Sequence, residues 1–363
     1  MNAYVDLVLR DFEFTLEKYK IDEIPTVYFG GGTPSVLGPE LLYRLVKGIN
    51  DIWHGFKSCA GTPPKNPAEV TIEANPESCG RELLAAVREA GVNRISIGVQ
   101  TFNKNSRQAI GRIGDNDRLT ENIKIAAEFF QDNFSADLIT GLPFQTEEIL
   151  AADIKNVLAL KPAHISLYAL TIEQDTLLAK NIMRGRVSTP SKDESDRLWI
   201  LGRDVLEKYG YHQYEVSNFC IHGKESLHNL RYWRMENWLG LGPAASGTII
   251  NGENGTGIRY TNDADLDKWL CRKAGTMPPG HEEKLDAKTL IEETFLMGFR
   301  LTEGPDGELF IRRFGKPIEE YIPRTIKKWR AGGLMRQERT ALAKNGLLLL
   351  DKFLIEAFNE LMV

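Results

Sequence analysis

The sequence predicts an α/β fold, a barrel or partial barrel of parallel strands followed by a smaller, mainly helical part. Three observations predict it. Short β-branched runs alternate with helical stretches of about 10 to 18 residues up to residue 220, glycines and polar residues stand where strands end, and the pattern changes after residue 220. Strands separated by helices need crossover connections and form a parallel sheet. Six such units in succession favour a barrel over an open sheet.

The strands and helices are predicted from hydrophobic spacing and from the residues that end each run. Residues 4–20 have apolar side chains at helical spacing, with Asn2 as the N-cap, and residues 57–67 form a loop rich in Gly, Pro, Lys and Asn. The strands are expected at residues 26–29, 68–73, 94–100, 135–139, 164–170 and 212–217. The further helices are expected at residues 40–53, 80–90, 104–110, 119–133, 147–160 and 192–209.

We expect the chain to be divided into three parts. Residues 1–220 form the barrel, and residues 221–285 form connecting loops and short strands, rich in Gly, Asn and aromatic residues. Residues 286–363 form a helical, winged-helix-like domain. The length of 363 residues suits one large domain and a smaller one.

The composition is that of an ordinary globular protein, with 42% hydrophobic and 26% charged residues. A net charge of −5 gives no basic footprint for nucleic acid. No apolar run reaches the length of a membrane span, and the N-terminus lacks the layout of a signal peptide. The four cysteines lie far apart, so neither a disulfide framework nor a CxxC-type metal site is predicted. We therefore expect a cytoplasmic, reduced protein.

The first predicted strand stops at three glycines, residues 30–32, which are followed by Thr33 and Pro34. A backbone without Cβ atoms adopts positive φ and lets a ligand approach its N–H and C=O groups. The C-terminal end of a parallel strand is where α/β folds place small-molecule sites. A tight strand-to-helix turn is the alternative, although one glycine usually suffices for it. We expect a loop that contacts a ligand.

Polar residues stand at the ends of three further strands, namely Glu73, Gln100 and Asp137. In a parallel barrel these ends converge at one mouth, where a buried polar side chain needs a partner or a ligand. The three side chains either satisfy one another across the barrel or share a small-molecule site, which the glycine turn favours. Arg112 is expected to pair with a carboxylate, either Glu73 or one on a ligand, or else to be a solvated surface arginine.

A second cluster, residues 228–234 (HNLRYWR), combines an imidazole, an amide, two aromatic rings and two guanidinium groups. A haem site uses such groups, with His on the iron, aromatics on the macrocycle and Arg on the propionates. The simpler interpretation is a loop packed by its aromatics, in which His228 is a hydrogen-bonded structural residue. Cys220, His222 and His228 have the identities of metal ligands but irregular spacing, so a zinc site is not expected.

Taken in order, these motifs resemble the radical S-adenosylmethionine (SAM) superfamily, and within it the proteins related to oxygen-independent coproporphyrinogen III oxidase. The resemblance covers nearly the whole chain. It is carried by residues 29–34 (FGGGTP), 71–76 (TIEANP), 93–100 (NRISIGVQ) and 137–143 (DLITGLP). Residues 228–233 (HNLRYW) resemble the HNxxYW motif of the haem-chaperone branch, HemW, and favour that branch over the oxidase.

The resemblance implies a partial (β/α)6 barrel with SAM and a 4Fe–4S cluster at its mouth. It implies that backbone groups of the glycine turn line the methionine moiety of SAM, and that polar side chains contact its amino acid and ribose. The implied SAM contacts are Gly31, Gly32, Thr33, Glu73, Gln100, Arg112 and Asp137, with Thr171 as a weaker candidate. His228 is implied to be the haem-linked histidine.

One departure concerns the CxxxCxxC motif, whose three thiolates hold the cluster on the loop after the first barrel strand of the family. These 363 residues contain no such motif, and their first cysteine is Cys59. The chain opens on a helix, so the expected barrel lacks its first strand. We expect Met1 to be an internal methionine of a longer protein, the alternative being a natural form without the cluster. No cysteine matches a motif position, so SAM would lack the iron that chelates its amino and carboxylate groups.

The resemblance implies a chaperone that binds haem and hands it to an acceptor protein, with no catalytic residue assigned in this chain. The alternative is a radical SAM enzyme of porphyrin biosynthesis, of the coproporphyrinogen III oxidase type, so enzyme activity stays open. A third alternative is an inactive fragment whose open barrel edge makes it poorly stable. A dimer and a membrane-associated acceptor are both compatible with the resemblance.

Overall fold

The computed structural model describes residues 1–56, 65–112, 114, 116–174, 176–252, 255–272 and 280–361. The predicted loop at residues 57–67 lies largely outside them. The helices of the first part are α1 (Asn2–Tyr19), α2 (Gly38–Gly55), α3 (Arg81–Ala90), α4 (Lys104–Ala109), α5 (Asn116–Phe130), α6 (Glu147–Leu158), α7 (Leu177–Met183) and α8 (Lys192–Lys208). The strands of the first part are β1 (Thr26–Phe29), β2 (Glu69–Ala74), β3 (Arg94–Gln100), β4 (Phe134–Thr140), β5 (His164–Ala169), β6 (His212–Gln213) and β7 (Asn218–Cys220).

These strands form one sheet in the order β1-β2-β3-β4-β5-β7-β6, and β1 lies at an edge of the sheet among the described residues. Strands β1 to β5 are parallel, in the order in which they occur in the chain. Helices connect them and pack on one face, where a large apolar core forms. The α/β fold class predicted from the alternation of strands and helices is confirmed.

The sixth strand differs in detail from the prediction. Residues 212–217 were expected to form one strand, but the chain reverses after Gln213 and returns as β7. The N–H of Tyr214 donates to the C=O of Asn218, 3.1 Å away, and closes the reversal. A connection this short joins only antiparallel strands, and β7 pairs antiparallel with both β5 and β6.

Alternate residues of a strand point to opposite faces, and in this sheet the face opposite the helices is polar. Its side chains bond to one another across neighbouring strands, as Tyr28 does with Glu73 and Ser96 with Asp137. The polar residues of this face are Thr26, Tyr28, Glu69, Thr71, Glu73, Arg94, Ser96, Ser135, Asp137, His164, Ser166 and Tyr168. The polar interior of the barrel is therefore continuous from β1 to β5.

Beyond β7 the chain forms a short helix, a second sheet and a helical end. The elements are α9 (Leu227–Trp233), β8 (Ser246–Asn251), β9 (Thr256–Asn262), α10 (Leu266–Cys271), β10 (Gly280–Leu285), α11 (Ala287–Gly298), α12 (Gly307–Phe314), α13 (Ile318–Tyr321), α14 (Pro323–Ala331), α15 (Lys344–Leu347) and α16 (Leu350–Leu361). Strands β8, β9 and β10 pair antiparallel. Helices α11 to α16 surround a core of their own, in which Phe299, Trp329 and Phe353 pack edge to face.

The helical end agrees with the fold predicted for residues 286–363, whereas the domain boundaries at residues 220 and 285 stay a prediction.

Within the helical end, Met335 and Leu342 form an antiparallel bridge between the helices. Among the described residues, no helix has both the length and the apolar character needed to cross a membrane.

Candidate functional site

The glycine turn leads from β1 into a 3₁₀ helix, Pro34–Leu37. A Cβ atom on Gly30 would lie 2.4 Å from Cε1 of Tyr28 and 2.8 Å from Cδ of Glu73, so any other residue there would displace one of these side chains. Gly31 has a φ of 77°, and a Cβ on Gly32 would meet no atom within 4 Å. Thr33 is exposed and its carbonyl accepts the N–H of Val36. The turn therefore combines one tightly packed glycine with open backbone.

Glu73 and Asp137 each accept a hydrogen bond at the polar face of the sheet, in two separate pairs. The hydroxyl of Tyr28 donates to Oε1 of Glu73, 2.7 Å away, and the hydroxyl of Ser96 donates to Oδ1 of Asp137, 3.1 Å away. Burial raises the pKa of Asp137 to about 6, although hydrogen bonds from Ser166 and Ser96 oppose the shift, and the charge of Glu73 raises it further. The two carboxyl groups are thus electrostatically coupled.

Gln100 and Arg112 meet at a bulge at the end of β3, where the register shifts between Gly98 and Gln100. A Cβ on Gly98 would lie 2.8 Å from Nε2 of Gln100 and 3.8 Å from Nη2 of Arg112. Gln100 has a φ of 65°, and its buried Oε1 has no hydrogen-bond partner among the described residues. The sequence analysis considered an ion pair between Arg112 and Glu73. That alternative is wrong, since these two described residues form no ion pair with each other. Thr171 is exposed beyond β5.

The raised pKa of Asp137 predicts how stability depends on pH. The folded state holds the Asp137 proton up to about pH 6, whereas the unfolded chain releases it near pH 3.8. Between these values the folded state binds more protons, so this group's contribution to stability falls as pH rises from 4 to 6. Above pH 6, ionisation of the buried Asp137 lowers the free energy of unfolding by about 3 kcal/mol relative to pH values below 4. We expect Asp137→Asn to stabilise the protein at pH 7 by about 1 to 3 kcal/mol.

Urea unfolding of the parent chain and of Asp137→Asn between pH 4 and pH 7 measures this difference. Asp153 also has a pKa raised to about 6 by burial, so the comparison of the two chains, and not the parent profile, isolates Asp137. Equal differences in unfolding free energy at pH 4 and pH 7 would contradict the prediction.

His228 lies on α9, on the polar side of β1. Its Nδ1 is 2.9 Å from the hydroxyl of Thr26, and its ring stacks on Tyr28 with centroids 4.7 Å apart at 14°. The ring of Tyr232 meets His228 edge on at 5.2 Å. Burial lowers the pKa of His228 to about 4, so the imidazole is neutral at pH 7. The segment is therefore a helix and not the aromatic-packed loop considered from composition.

Glu69, which the sequence reasoning missed, fixes the start of α9. Its carboxylate accepts the N–H of Leu227 at 2.9 Å and the N–H of His228 at 3.0 Å. Its Oε2 also lies 3.9 Å from Nε of Arg94, and both side chains are less than a tenth exposed. Because a helix N-terminus attracts negative charge, this carboxylate holds α9 and hence His228 against the sheet.

A cavity of about 890 Å³ joins His228 to the glycine turn. Its lining includes Gly31, Gly32 and Thr33, as well as the aromatic rings of Tyr232 and Trp238. Tyr28 lines the cavity too, and its hydroxyl links the cavity to the Glu73 and Asp137 group. Glu73, Gln100, Arg112 and Asp137 lie beyond the lining, so the predicted residues form two adjoining groups with Tyr28 between them.

Comparison with known proteins identifies the family. Residues 2–157 match the Radical SAM superfamily, and residues 285–349 match the HemN C-terminal domain. The Heme chaperone HemW of Lactococcus lactis subsp. lactis (strain IL1403) is 32% identical over 365 residues, covering 99% of this chain and 91% of the relative. The chain belongs to the HemW family of radical SAM proteins.

A second HemW, from Bacillus subtilis (strain 168), is 31% identical over 344 residues, covering 94% of this chain and 87% of the relative. Among solved structures, coproporphyrinogen III oxidase (HemN) from Escherichia coli, a radical SAM enzyme, aligns with a TM-score of 0.77 at 20% identity. That alignment covers 98% of this chain and 82% of the oxidase, and at this identity it shows a shared fold alone. Membership of the superfamily implies SAM and a 4Fe–4S cluster.

The cysteines that the structure describes do not fit a 4Fe–4S cluster. Such a cluster is held by several thiolates that lie close together, whereas Cys79 and Cys220 are buried thiols whose pKa burial raises to about 12. Cys271 is exposed at the end of α10, and no three cysteines of the described ranges come together. Cys59 lies outside those ranges. No step through a cluster follows from these residues.

Proposed function

We propose that this chain is a haem chaperone, which binds haem beside His228 and transfers it to an acceptor protein. The observation that carries the proposal is a neutral histidine at the wall of a cavity of about 890 Å³ that aromatic rings line. A cavity of this volume is within the range of cavities that enclose small ligands. The HemW relatives support the same function by their names.

The hydrogen bond of His228 suits an iron ligand. When Nδ1–H donates to Thr26, the lone pair of Nε2 stays available for a metal, and a bonded Nδ1–H fixes both the tautomer and the ring orientation. Nε2 forms no hydrogen bond with any described residue. The lowered pKa of His228 means that protons do not compete with iron for this nitrogen at pH 7.

The cavity also offers surfaces for the rest of the haem. The rings of Tyr28, Tyr232 and Trp238 supply apolar faces for the macrocycle. Arg231 lines the cavity and forms an ion pair with Glu236. We propose that a haem propionate replaces Glu236 as the partner of Arg231, since a guanidinium group binds either carboxylate with the same geometry.

We propose that SAM spans the two groups, with Gly31, Gly32 and Thr33 at the wall of the cavity and Glu73, Gln100, Arg112 and Asp137 beyond it. The unpartnered Oε1 of Gln100 and the open backbone at Gly32 support this assignment, because both offer hydrogen-bonding groups to a ligand. SAM supplies radical chemistry when it is bound to a reduced cluster. We also propose a cytoplasmic location, in keeping with the three free cysteines of the described residues.

Titration of the purified chain with haemin, followed by the Soret band, tests the proposal. We expect saturable binding of one haem per chain. The loaded chain is then mixed with increasing concentrations of apomyoglobin, an acceptor of convenience. Direct transfer predicts a rate that rises with acceptor concentration, whereas passive release gives a constant rate.

Two results would overturn the proposal, namely the absence of saturable haemin binding and a transfer rate independent of the acceptor. Turnover of coproporphyrinogen III under anaerobic, reducing conditions would instead support the oxidase alternative. His281→Ala, which removes an exposed imidazole on β10, is the control for haemin that binds to surface histidines.

A further inference from the structure

Four side chains with metal-ligating atoms meet at the β6–β7 hairpin. His212 lies on β6, Cys220 ends β7, and His222 and Glu225 lie in the loop before α9. Nε2 of His212 is 2.9 Å from Oε1 of Glu225 and 3.5 Å from Sγ of Cys220. Each of His212, His222 and Glu225 offers one ligand atom, and these three atoms lie within 4.8 Å of one another.

We propose that His212, His222 and Glu225 bind a zinc ion. Zinc prefers imidazole nitrogens and carboxylate oxygens in tetrahedral sites, with bonds of about 2.0 to 2.2 Å. Ligand atoms on such an ion lie about 3.4 Å apart, so the trio must close by little more than about 1 Å. His222 is exposed and forms no hydrogen bond with the described residues, so it is able to make this movement.

The types of donor atom at this cluster, two imidazole nitrogens and the nearby sulfur of Cys220, indicate which metal ion it would bind. Magnesium and calcium take oxygen ligands almost exclusively, whereas nitrogen and sulfur donors favour zinc and its neighbours. With three protein ligands and an exposed side at His222, the fourth position is open to water or to Cys220.

An ion pair alone does not account for the cluster. The imidazole of His212 is 41% exposed and the carboxylate of Glu225 is 26% exposed, and a pair with this much solvent contributes little stability. The pair also gives no reason for a second imidazole, yet the ring of His222 lies 5.9 Å from that of His212, centroid to centroid.

The sequence did not predict this site because its ligands come from separate elements. Cys220, His222 and His228 were considered together, but His228 lies on α9 against β1, while His212 joins the others only because β6 and β7 pair. A bound ion would connect β6 to the loop that ends at Ser226, the N-cap of α9. The ion would therefore restrain the start of the helix that carries His228, where Glu69 also binds.

Zinc titration of the tag-free, chelator-treated chain tests the proposal by isothermal titration calorimetry. We expect one zinc ion per chain at this site and a rise in melting temperature when zinc is added. His222→Ala and Glu225→Gln are each expected to weaken zinc binding by at least about tenfold. Tetrahedral cobalt gives a visible spectrum, which is expected in the parent chain and lost in His222→Ala.

His54→Ala is the matched control, since this exposed histidine on α2 lies away from the hairpin and its loss is expected to leave zinc affinity unchanged. His228→Ala is expected to keep its zinc affinity while its haem affinity falls, which separates this site from the proposed function. The proposal is overturned if the parent chain binds no zinc, or if His222→Ala and Glu225→Gln both bind it as tightly as the parent does.

Discussion

His228→Ala is expected to weaken haem binding by about 10- to 100-fold, or about 1.4 to 2.7 kcal/mol. The substitution removes the only group that we propose as an iron ligand, and it leaves the aromatic walls and Arg231 in place. We also expect the Soret spectrum of the bound haem to change, because the axial ligand determines the state of the iron. Haemin titration of both chains gives the two affinities and the two spectra.

The alanine variant leaves room for a ligand in place of the lost ring, which offers a second measurement. With added imidazole, haem bound to His228→Ala is expected to show the spectrum that it has in the parent chain. Added imidazole is not expected to raise the haem affinity of His281→Ala. The low pKa of His228 predicts that affinity in the parent chain is constant from pH 8 down to about 5. An unchanged affinity in His228→Ala would contradict the ligand role, whatever the spectra show.

Glu69→Ala is expected to destabilise the fold by about 3 to 5 kcal/mol, the cost of removing one partner of a buried ion pair. The substitution leaves the guanidinium of Arg94 buried without its carboxylate and removes the acceptor of the Leu227 and His228 N–H groups. Because those groups begin α9, we expect haem affinity to fall as well. Urea unfolding measures the first effect and haemin titration the second.

Glu89→Ala, an exposed glutamate on α3, is the matched control and is expected to change unfolding by less than about 0.5 kcal/mol. Glu69→Gln keeps an oxygen acceptor of the same shape but removes the charge, so its loss of stability should lie between those of the other two variants. A loss in Glu69→Ala no larger than in Glu89→Ala would show that α9 is held by its other contacts.

The turn and the strand-end carboxylates were predictable because each is a local signal in the sequence. Three adjacent glycines after an apolar run mark an open backbone, and Glu73 and Asp137 stand at strand ends that a parallel sheet must bring together. The structure places Glu73 beside Gly30, whereas the shared ligand site stays a prediction. Arg112 failed to pair with Glu73 because it follows α4 and lies beside Gln100 at the β3 bulge, a position that depends on the path of a loop.

Glu69 was missed although its signal was present. It precedes Glu73 by four residues on the same strand, so the two share a face, and the alternation of polar and apolar residues in β2 indicates that this face is polar. Its partners were not predictable, because α9 is 157 or more residues further along the chain. The position of a seven-residue helix against a strand is set by tertiary contacts and not by local propensity.

The hydrogen bonds between Glu69 and the start of α9 also determine when His228 reaches its position during synthesis of the chain. Glu69 leaves the ribosome 159 residues before His228, its hydrogen-bond partner, which at usual elongation rates is a delay of about 10 to 30 s. During that interval the carboxylate has not yet met the N–H groups that it accepts at the start of α9. The histidine gains its position only when this long loop closes, so a nascent chain cannot hold haem at this site before its barrel strands are in place.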